Sequence, residues 1–365
     1  MRKLTVFSIL FVIVYVILYY SGHISSEHSP GYMPVLGFLL LGIAVILAGC
    51  ELFANGVECL GDRLGLSHAA AGSILAAVGT ALPETALPIL ALIFGSGVHR
   101  ESIAVGAILG SPFMISTVAF FLTGITSLAQ RIMKKKDKAV HNVNLVAMSS
   151  QLSFFIAIMS GLLAISLVKV KILNIIFAFI ILGVYVMFIR TQLLLTSVSD
   201  EEYSEHFHFG LILACPRNYF WILSQVLTGL LLIIVGAHIF VNFLTLLSIK
   251  SGIPSLILAL LIAPVATELP EIFNSVSWTI KKRDTLALSN VTGALVFQST
   301  IPVSLGLLFT AWSLGTTELL NIVFSLIIAL IVFFNIMLKK RLSSFVLLTG
   351  GIFYILYVVR ILFIV

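Results

Sequence analysis

Residues 77–88 read AVGTALPETALP, and residues 263–275 read APVATELPEIFNS. Each stretch sets a Leu-Pro-Glu tripeptide, 82–84 and 269–271, inside a long apolar run, and a shift of 187 residues superposes the two. Followed outward, the same shift aligns 44–84 with 231–271 without a gap, with twelve of the 41 positions identical. Gly49 falls on Gly236, Phe53 on Phe240, Asn55 on Asn242, Gly65 on Gly252 and Thr80 on Thr267. Self-similarity at one fixed shift is the mark of a duplicated architecture, so the chain divides into two related halves.

Those halves belong in a bilayer. Of 365 residues, 60% are hydrophobic and 10% charged, with a mean hydropathy of +1.16. A soluble domain has about 45–50% apolar and about 25% charged residues, so this chain lacks the charge to cover itself against water. Apolar runs fall at about 4–20, 33–58, 68–94, 102–128, 143–167, 172–192, 218–247, 254–279, 285–311, 317–338 and 342–363. Each suits the roughly 20 residues of a spanning helix. The expected fold is an all-α polytopic membrane protein of about eleven transmembrane helices, two inverted five-helix repeats plus one extra N-terminal helix. Residues 1–32 form the extra helix and an external loop, 33–192 the first repeat, 193–216 a cytoplasmic linker and 217–365 the second repeat. The first run follows Arg2 and Lys3 but is long and lacks an A-x-A-like cleavage site, which marks it as a retained helix. Five helices per repeat, an odd number, oblige the second half to enter the membrane from the opposite side.

Basic residues orient the chain. Sixteen of the 21 lysines and arginines fall in loops on one side, including Arg2, Lys3, Arg63, Lys134, Lys135, Lys136, Lys282 and Lys340. By the positive-inside rule the N-terminus is cytoplasmic and the C-terminus external, in a plasma membrane. The basic residues form no stripe interleaved with aromatics, so nucleic acid is not a partner. Cys50, Cys59 and Cys215 fit no CxxC spacing and are read as structural. The acidic and histidine-bearing stretch 199–208 reads as solvated linker, with a regulatory metal site as its alternative.

Both Leu-Pro-Glu segments lie where a carboxylate costs about 2.5–3.5 kcal/mol or more. No lysine or arginine is left near mid-membrane to pair with Glu84, Glu268 or Glu271, so the partner is a cation or a proton. Pro83 frees the carbonyl of Gly79, Pro270 that of Ala266 and Pro264 that of Leu260. Irregular backbone is tolerated at this depth only where it is buried in protein or lines a wet cavity. Freed carbonyls beside carboxylates make an all-oxygen site, the kind that calcium, with about six to eight oxygen ligands, requires. Glu268 and Glu271 share a helix face three residues apart, and such a pair stays doubly ionised in a low dielectric only around a cation. The helix after each motif adds Ser111, Ser116 and Thr117, or Asn290, Thr292 and Gln298. Lone hydroxyls usually bond back to their own helix, so Asn290 and Gln298 rank higher. Glu51 and His238, equivalent under the repeat, are candidate proton relays but not ligands.

The two motifs, each followed by a polar helix (IAVGAILGS at 103–111, LALSNVTGALVFQ at 286–298), resemble the alpha-repeats of the cation/calcium exchanger superfamily. The resemblance runs from about residue 36 to the C-terminus. It implies that Glu84 and Glu271 are paired central ligands for a cation. It implies backbone carbonyl ligands at Thr80, Thr267, Ala77 and Pro264, and a hydroxyl ligand at Ser111. Gln298 falls where many sodium/calcium exchangers have an acid and is reminiscent of proton/calcium exchangers. The serine of the usual Gly-Thr-Ser-Leu-Pro-Glu is Ala81 in one half and Glu268 in the other. Gly106-Ala107 replaces a Gly-Asn, and Ile115 stands at a common ligand position. One acid is lost and another gained on a different helix.

The leading function class is a secondary antiporter exchanging calcium, or a similar divalent cation, for sodium or protons. The resemblance implies alternating access by sliding of the first helix of each repeat. A sodium/proton antiporter without calcium transport is the runner-up. A cation channel would conduct ohmically and tolerate an empty site. An intramembrane protease is disfavoured, since neither HExxH nor a GxSG-type serine motif is present. No cofactor or catalytic residue is expected, and the partners are inorganic cations and the bilayer.

Overall fold

A backbone in hydrocarbon must satisfy its own N–H and C=O groups, which leaves helices as the spanning element for apolar runs of this length. The computed structural model describes residues 31–63, 83–95, 97–133, 140–141, 143–195 and 207–363. In chain order the elements are α1 (Tyr32–Arg63), α2 (Pro83–Phe94), α3 (Gly97–Met114), a π-helical turn (Ile115–Ala119), α4 (Phe120–Ile132), β1 (Val140–His141), α5 (Leu145–Val168), α6 (Lys171–Leu195), α7 (His208–Leu213) and α8 (Tyr219–Ser251). They continue with α9 (Ser255–Ile280), α10 (Asp284–Gln298), α11 (Ile301–Phe309), α12 (Thr316–Lys339), β2 (Leu342–Ser343), α13 (Ser344–Leu347) and α14 (Thr349–Leu362). Among the described residues eight helical stretches are long and apolar enough to cross a membrane, or nine counting α9, which is bent. The protein is thus all-α and polytopic. The expected helix at 4–20, the first part of the run at 68–94, and Thr80 and Ala77 lie outside the described residues.

The helices sort into two units, Met1–Ile103 with Val186–Ser255, and Ala104–Tyr185 with Leu256–Val365, each built from both halves of the sequence. In the first unit α1 and α8 cross on glycines spaced by seven. A Cβ on Gly42 would meet Phe240 N and Gly236 O at 2.9 and 3.0 Å, and one on Gly236 would meet Ile46 N and Gly42 O at 2.8 and 2.9 Å. A Cβ on Gly49 would meet Ile233 N and Gly229 O at 2.8 Å each, and one on Gly229 would meet Phe53 N and Gly49 O at 2.6 and 2.8 Å. Rising numbers on one helix meet falling numbers on the other, so the pair is antiparallel. The shift of 187 carries Gly42 to Gly229, Ile46 to Ile233, Gly49 to Gly236 and Phe53 to Phe240. The crossing is therefore self-complementary: exchanging the halves reproduces each contact. Only a two-fold axis across the helices does this, which is the geometry of inverted repeats. Small residues allow backbones this close in a membrane, where packing replaces the hydrophobic effect.

One end of this pair is capped by residues expected in a solvated linker. Phe207 and Phe209 are buried against Val45, Leu52, Cys59 and Ile222. Between them, His208 Nε2 lies 3.0 Å from Glu51 Oε1, and the His208 backbone N–H donates to Asn55 Oδ1 at 3.1 Å. Gln225 accepts from Phe209 N at 2.8 Å and donates to Leu52 O and Asn55 Oδ1 at 3.0 Å each. The two phenylalanines, buried where the polar run ends, are the physical reason that 207–213 packs rather than dissolves.

In the second unit Gly106 and Gly110 let α3 press onto α9. A Cβ on Gly106 would lie 2.8 Å from Leu256 O, and one on Gly110 2.7 Å from Leu260 O and 2.4 Å from Pro264 Cγ. The carbonyl that Pro264 frees thus faces a glycine. Lys171 Nζ closes the end of α11 by donating to the carbonyls of Leu307 and Thr310 at 2.8 and 2.5 Å, a favourable placement for a cation at a helix C-terminus. β1 and β2 pair antiparallel, Val140 opposite Ser343, and tie the loop after α4 to the loop after α12.

Candidate cation site

The carboxylates sit where α9 breaks. Its axis turns by 50° between Ser255–Leu269 and Glu271–Ile280. The break falls at Pro270, a residue type without the N–H that a helix interior requires. Glu268 lies just before the bend, 0% exposed, and Glu271 just after it, 4% exposed.

Two neutral donors hold Glu268. Thr267 Oγ1 donates to Oε1 at 3.2 Å, and Gln298 Nε2, from the end of α10, donates to Oε2 at 2.7 Å. Ser111 Oγ on α3 stands 3.5 Å from Thr267 Oγ1. Glu271 is positioned through its backbone: Asn290 Nδ2 on α10 donates to the Glu271 carbonyl at 3.1 Å and to Ser275 Oγ at 3.0 Å. Asn290, expected as a ligand, thus commits its amide donor to fastening α10 to the bent segment.

What remains is a set of acceptors. Glu271 Oε2 and Gln298 Oε1 are buried without a hydrogen-bond partner among the described residues. Neither Glu268 nor Glu271 has a lysine or arginine beside it among them. A buried acceptor without a donor costs about 1–3 kcal/mol, more when charged. Hard oxygens in surplus over donors attract a hard cation.

Of the sequence-selected residues, Ser111, Thr267, Glu268 and Gln298 form one connected group. A carboxylate oxygen of Glu271, at the next turn of α9, lies within 4.8 Å of one of Glu268, and Asn290 fastens the Glu271 backbone. Pro264 packs on Gly110. Glu84 is buried in the first unit, on α2, at 3% exposure. Ser116, Thr117 and Thr292 bond back to their own helices at Phe113 O and Leu288 O, as lone hydroxyls do. His238 pairs with Asn242 one turn along α8 at 3.0 Å and meets the ring of Phe94 edge-on. Its repeat equivalent Glu51 pairs with His208, so the two positions do different work. Ser275 escaped the sequence reading, although its place four residues after Glu271 puts it on the same helix face.

Comparison with known proteins gives one consistent family. The model of the sodium/calcium exchanger protein family matches residues 34–194 and 221–365. An uncharacterised membrane protein of Methanocaldococcus jannaschii is 23% identical over 274 residues, 75% of this chain and 82% of its own length. The putative antiporter CaxA of Alkalimonas amylolytica is 23% identical over 260 residues, 71% of this chain and 76% of its own. The crystal structure of the H+/Ca2+ exchanger CAX matches with a TM-score of 0.69 at 15% identity, covering 99% of this chain and 89% of that one, a likeness of fold.

Proposed function

Because the chain belongs to the sodium/calcium exchanger protein family, a family of cation antiporters and not of enzymes, we propose that it exchanges calcium, or a similar divalent cation, for protons or sodium by alternating access. The observation that supports this most is the acceptor-rich centre of the second unit: two buried carboxylates one turn apart on a bent helix, with Glu271 Oε2 left without a hydrogen-bond partner among the described residues. Such a pair stays doubly ionised only around a cation and otherwise takes up a proton. Competition between the two for the same oxygens is exchange in its simplest form.

In this proposal Glu84, the repeat equivalent of Glu271, completes the ligand set with Glu268. Thr80, Thr267, Ala77 and Pro264 contribute backbone carbonyls, and Ser111 a hydroxyl. The amide of Gln298, neutral where many sodium/calcium exchangers have an acid, holds Glu268 and offers Oε1 to the ion. That neutrality favours protons as the coupling ion. α1 and α8 slide on their glycine crossing to expose the site to either side. The protein sits in the plasma membrane, N-terminus inside and C-terminus outside.

The test is calcium flux in proteoliposomes made with Glu84→Gln and Glu271→Gln. Both variants are expected to fold, by their thermal transition in detergent, and to lose calcium-dependent transport. Wild-type flux in folded Glu271→Gln would sink the proposal.

A further inference from the structure

The end of α4 meets the end of α9 at one hydrogen bond, from Gln130 Nε2 to the carbonyl of Ile280 at 2.7 Å. Beside it opens a cavity of about 410 Å³ lined by Ile125, Thr126, Ala129, Gln130, Met133 and Ile280. Its walls are apolar apart from Thr126 and Gln130. Gln130 is 6% exposed, and its Oε1 has no hydrogen-bond partner among the described residues.

Basic side chains flank this opening. Arg131 follows Gln130 directly, and Lys281, Lys282 and Arg283 follow Ile280; all four are exposed.

We propose that this groove holds one anionic phospholipid with a hydroxylated headgroup, for which phosphatidylglycerol is the representative. An acyl chain lies along Ile125, Ala129, Met133 and Ile280. The phosphate rests on Arg131 and the 281–283 run, and a headgroup hydroxyl donates to Gln130 Oε1. Three features single out this occupant. The lining belongs to the ends of two membrane helices, at headgroup depth, where basic side chains attract anionic lipid. A free phosphate has nothing to place on the apolar wall. A zwitterionic lipid gains less from Arg131 and the 281–283 run than an anionic one, and the orphaned Oε1 accepts only from a donor, which the hydroxyl supplies. The lipid would tie α4 to α9, the helix that bears Glu268 and Glu271. The inference stands on the groove and its charge, independently of which ion is exchanged.

Native mass spectrometry of the full chain tests it, with phosphatidylglycerol and phosphatidylcholine of identical acyl chains as probes. One phosphatidylglycerol should be retained at a concentration lower by on the order of 100-fold, the effect of about three basic contacts. The triple variant Lys281→Gln, Lys282→Gln, Arg283→Gln should erase that preference, and Ala129→Trp, at an exposed position of the groove, should weaken retention of both lipids. Excess glycerol phosphate should displace neither. Equal retention of the two lipids overturns the proposal, as does a preference that survives the triple variant. Displacement by glycerol phosphate overturns it too, by assigning the site to a free anion.

Discussion

Replacing Gly229 by alanine should loosen the α1–α8 crossing. The new methyl would lie 2.6 Å from Phe53 N, 2.8 Å from Gly49 O and 2.9 Å from Phe53 Cα, all backbone atoms of α1. Ordinary contact for a Cβ is 3.4–4 Å. No rotamer change relieves a clash with backbone, so the helices must part by roughly 1 Å. Overpacking of this kind costs about 1–3 kcal/mol, and here the upper half of that range is expected, because parting the helices also opens the Gly42–Gly236 contact. At the repeat-equivalent Gly42 the nearest backbone atoms are 2.9, 3.0 and 3.1 Å away, so Gly42→Ala should cost less, about 1 kcal/mol. Gly37, on the same helix as Gly42, has nothing within 4 Å of its would-be Cβ. There alanine should be neutral or stabilising by up to about 1 kcal/mol. Unfolding of the three variants in detergent provides the measurement. Gly229→Ala as stable as Gly37→Ala would refute the close backbone approach, and Gly42→Ala costlier than Gly229→Ala would refute the ranking drawn from the distances.

Gln298→Ala removes the 2.7 Å donor from Glu268. A hydrogen bond to a charged group is worth about 1.5–3 kcal/mol, so calcium affinity, read by isothermal titration, should fall by roughly 10- to 100-fold. Unchanged affinity would place Glu268 outside the ion's reach. Asn290→Ala cuts the bond to the Glu271 carbonyl and that to Ser275 and should destabilise the protein by about 1–2 kcal/mol, read by chemical unfolding; a variant as stable as the parent would mean that α10 does not brace the bend. His208→Ala should speed amide exchange over 207–213 about fivefold, from the loss of one half-buried hydrogen bond worth about 1 kcal/mol. Identical exchange rates would show that Phe207 and Phe209 alone hold the segment.

Most of the architecture is legible in hydropathy, because a bilayer leaves no alternative to apolar helices of a set length. The runs beginning near 33, 143, 172, 218 and 317 match α1, α5, α6, α8 and α12 within a few residues. The duplication is legible too, since Gly49, Phe53 and their partners align at one shift; that these glycines are where the two halves touch is not, as a sequence does not say which faces meet. The π-turn at Ile115–Ala119 is hidden because one extra residue in a wholly apolar stretch leaves no mark on the pattern. At the site, the acid missing from 298 and the one gained at 268 are visible separately. Only the fold reveals that Gln298 and Glu268, 30 residues apart, are hydrogen-bonded. His208 was hidden by its acidic neighbours, whose charge outweighed the two phenylalanines beside it.

The central claim, exchange of calcium against another cation, rests most directly on radiolabelled calcium uptake into proteoliposomes under an outward proton gradient, an outward sodium gradient, or none. Uptake driven by the proton gradient, absent without a gradient and absent in Glu271→Gln, is the predicted result, and uptake driven by sodium alone would keep calcium exchange while reversing the choice of coupling ion. No calcium uptake under either gradient would contradict the account and turn it toward sodium/proton exchange.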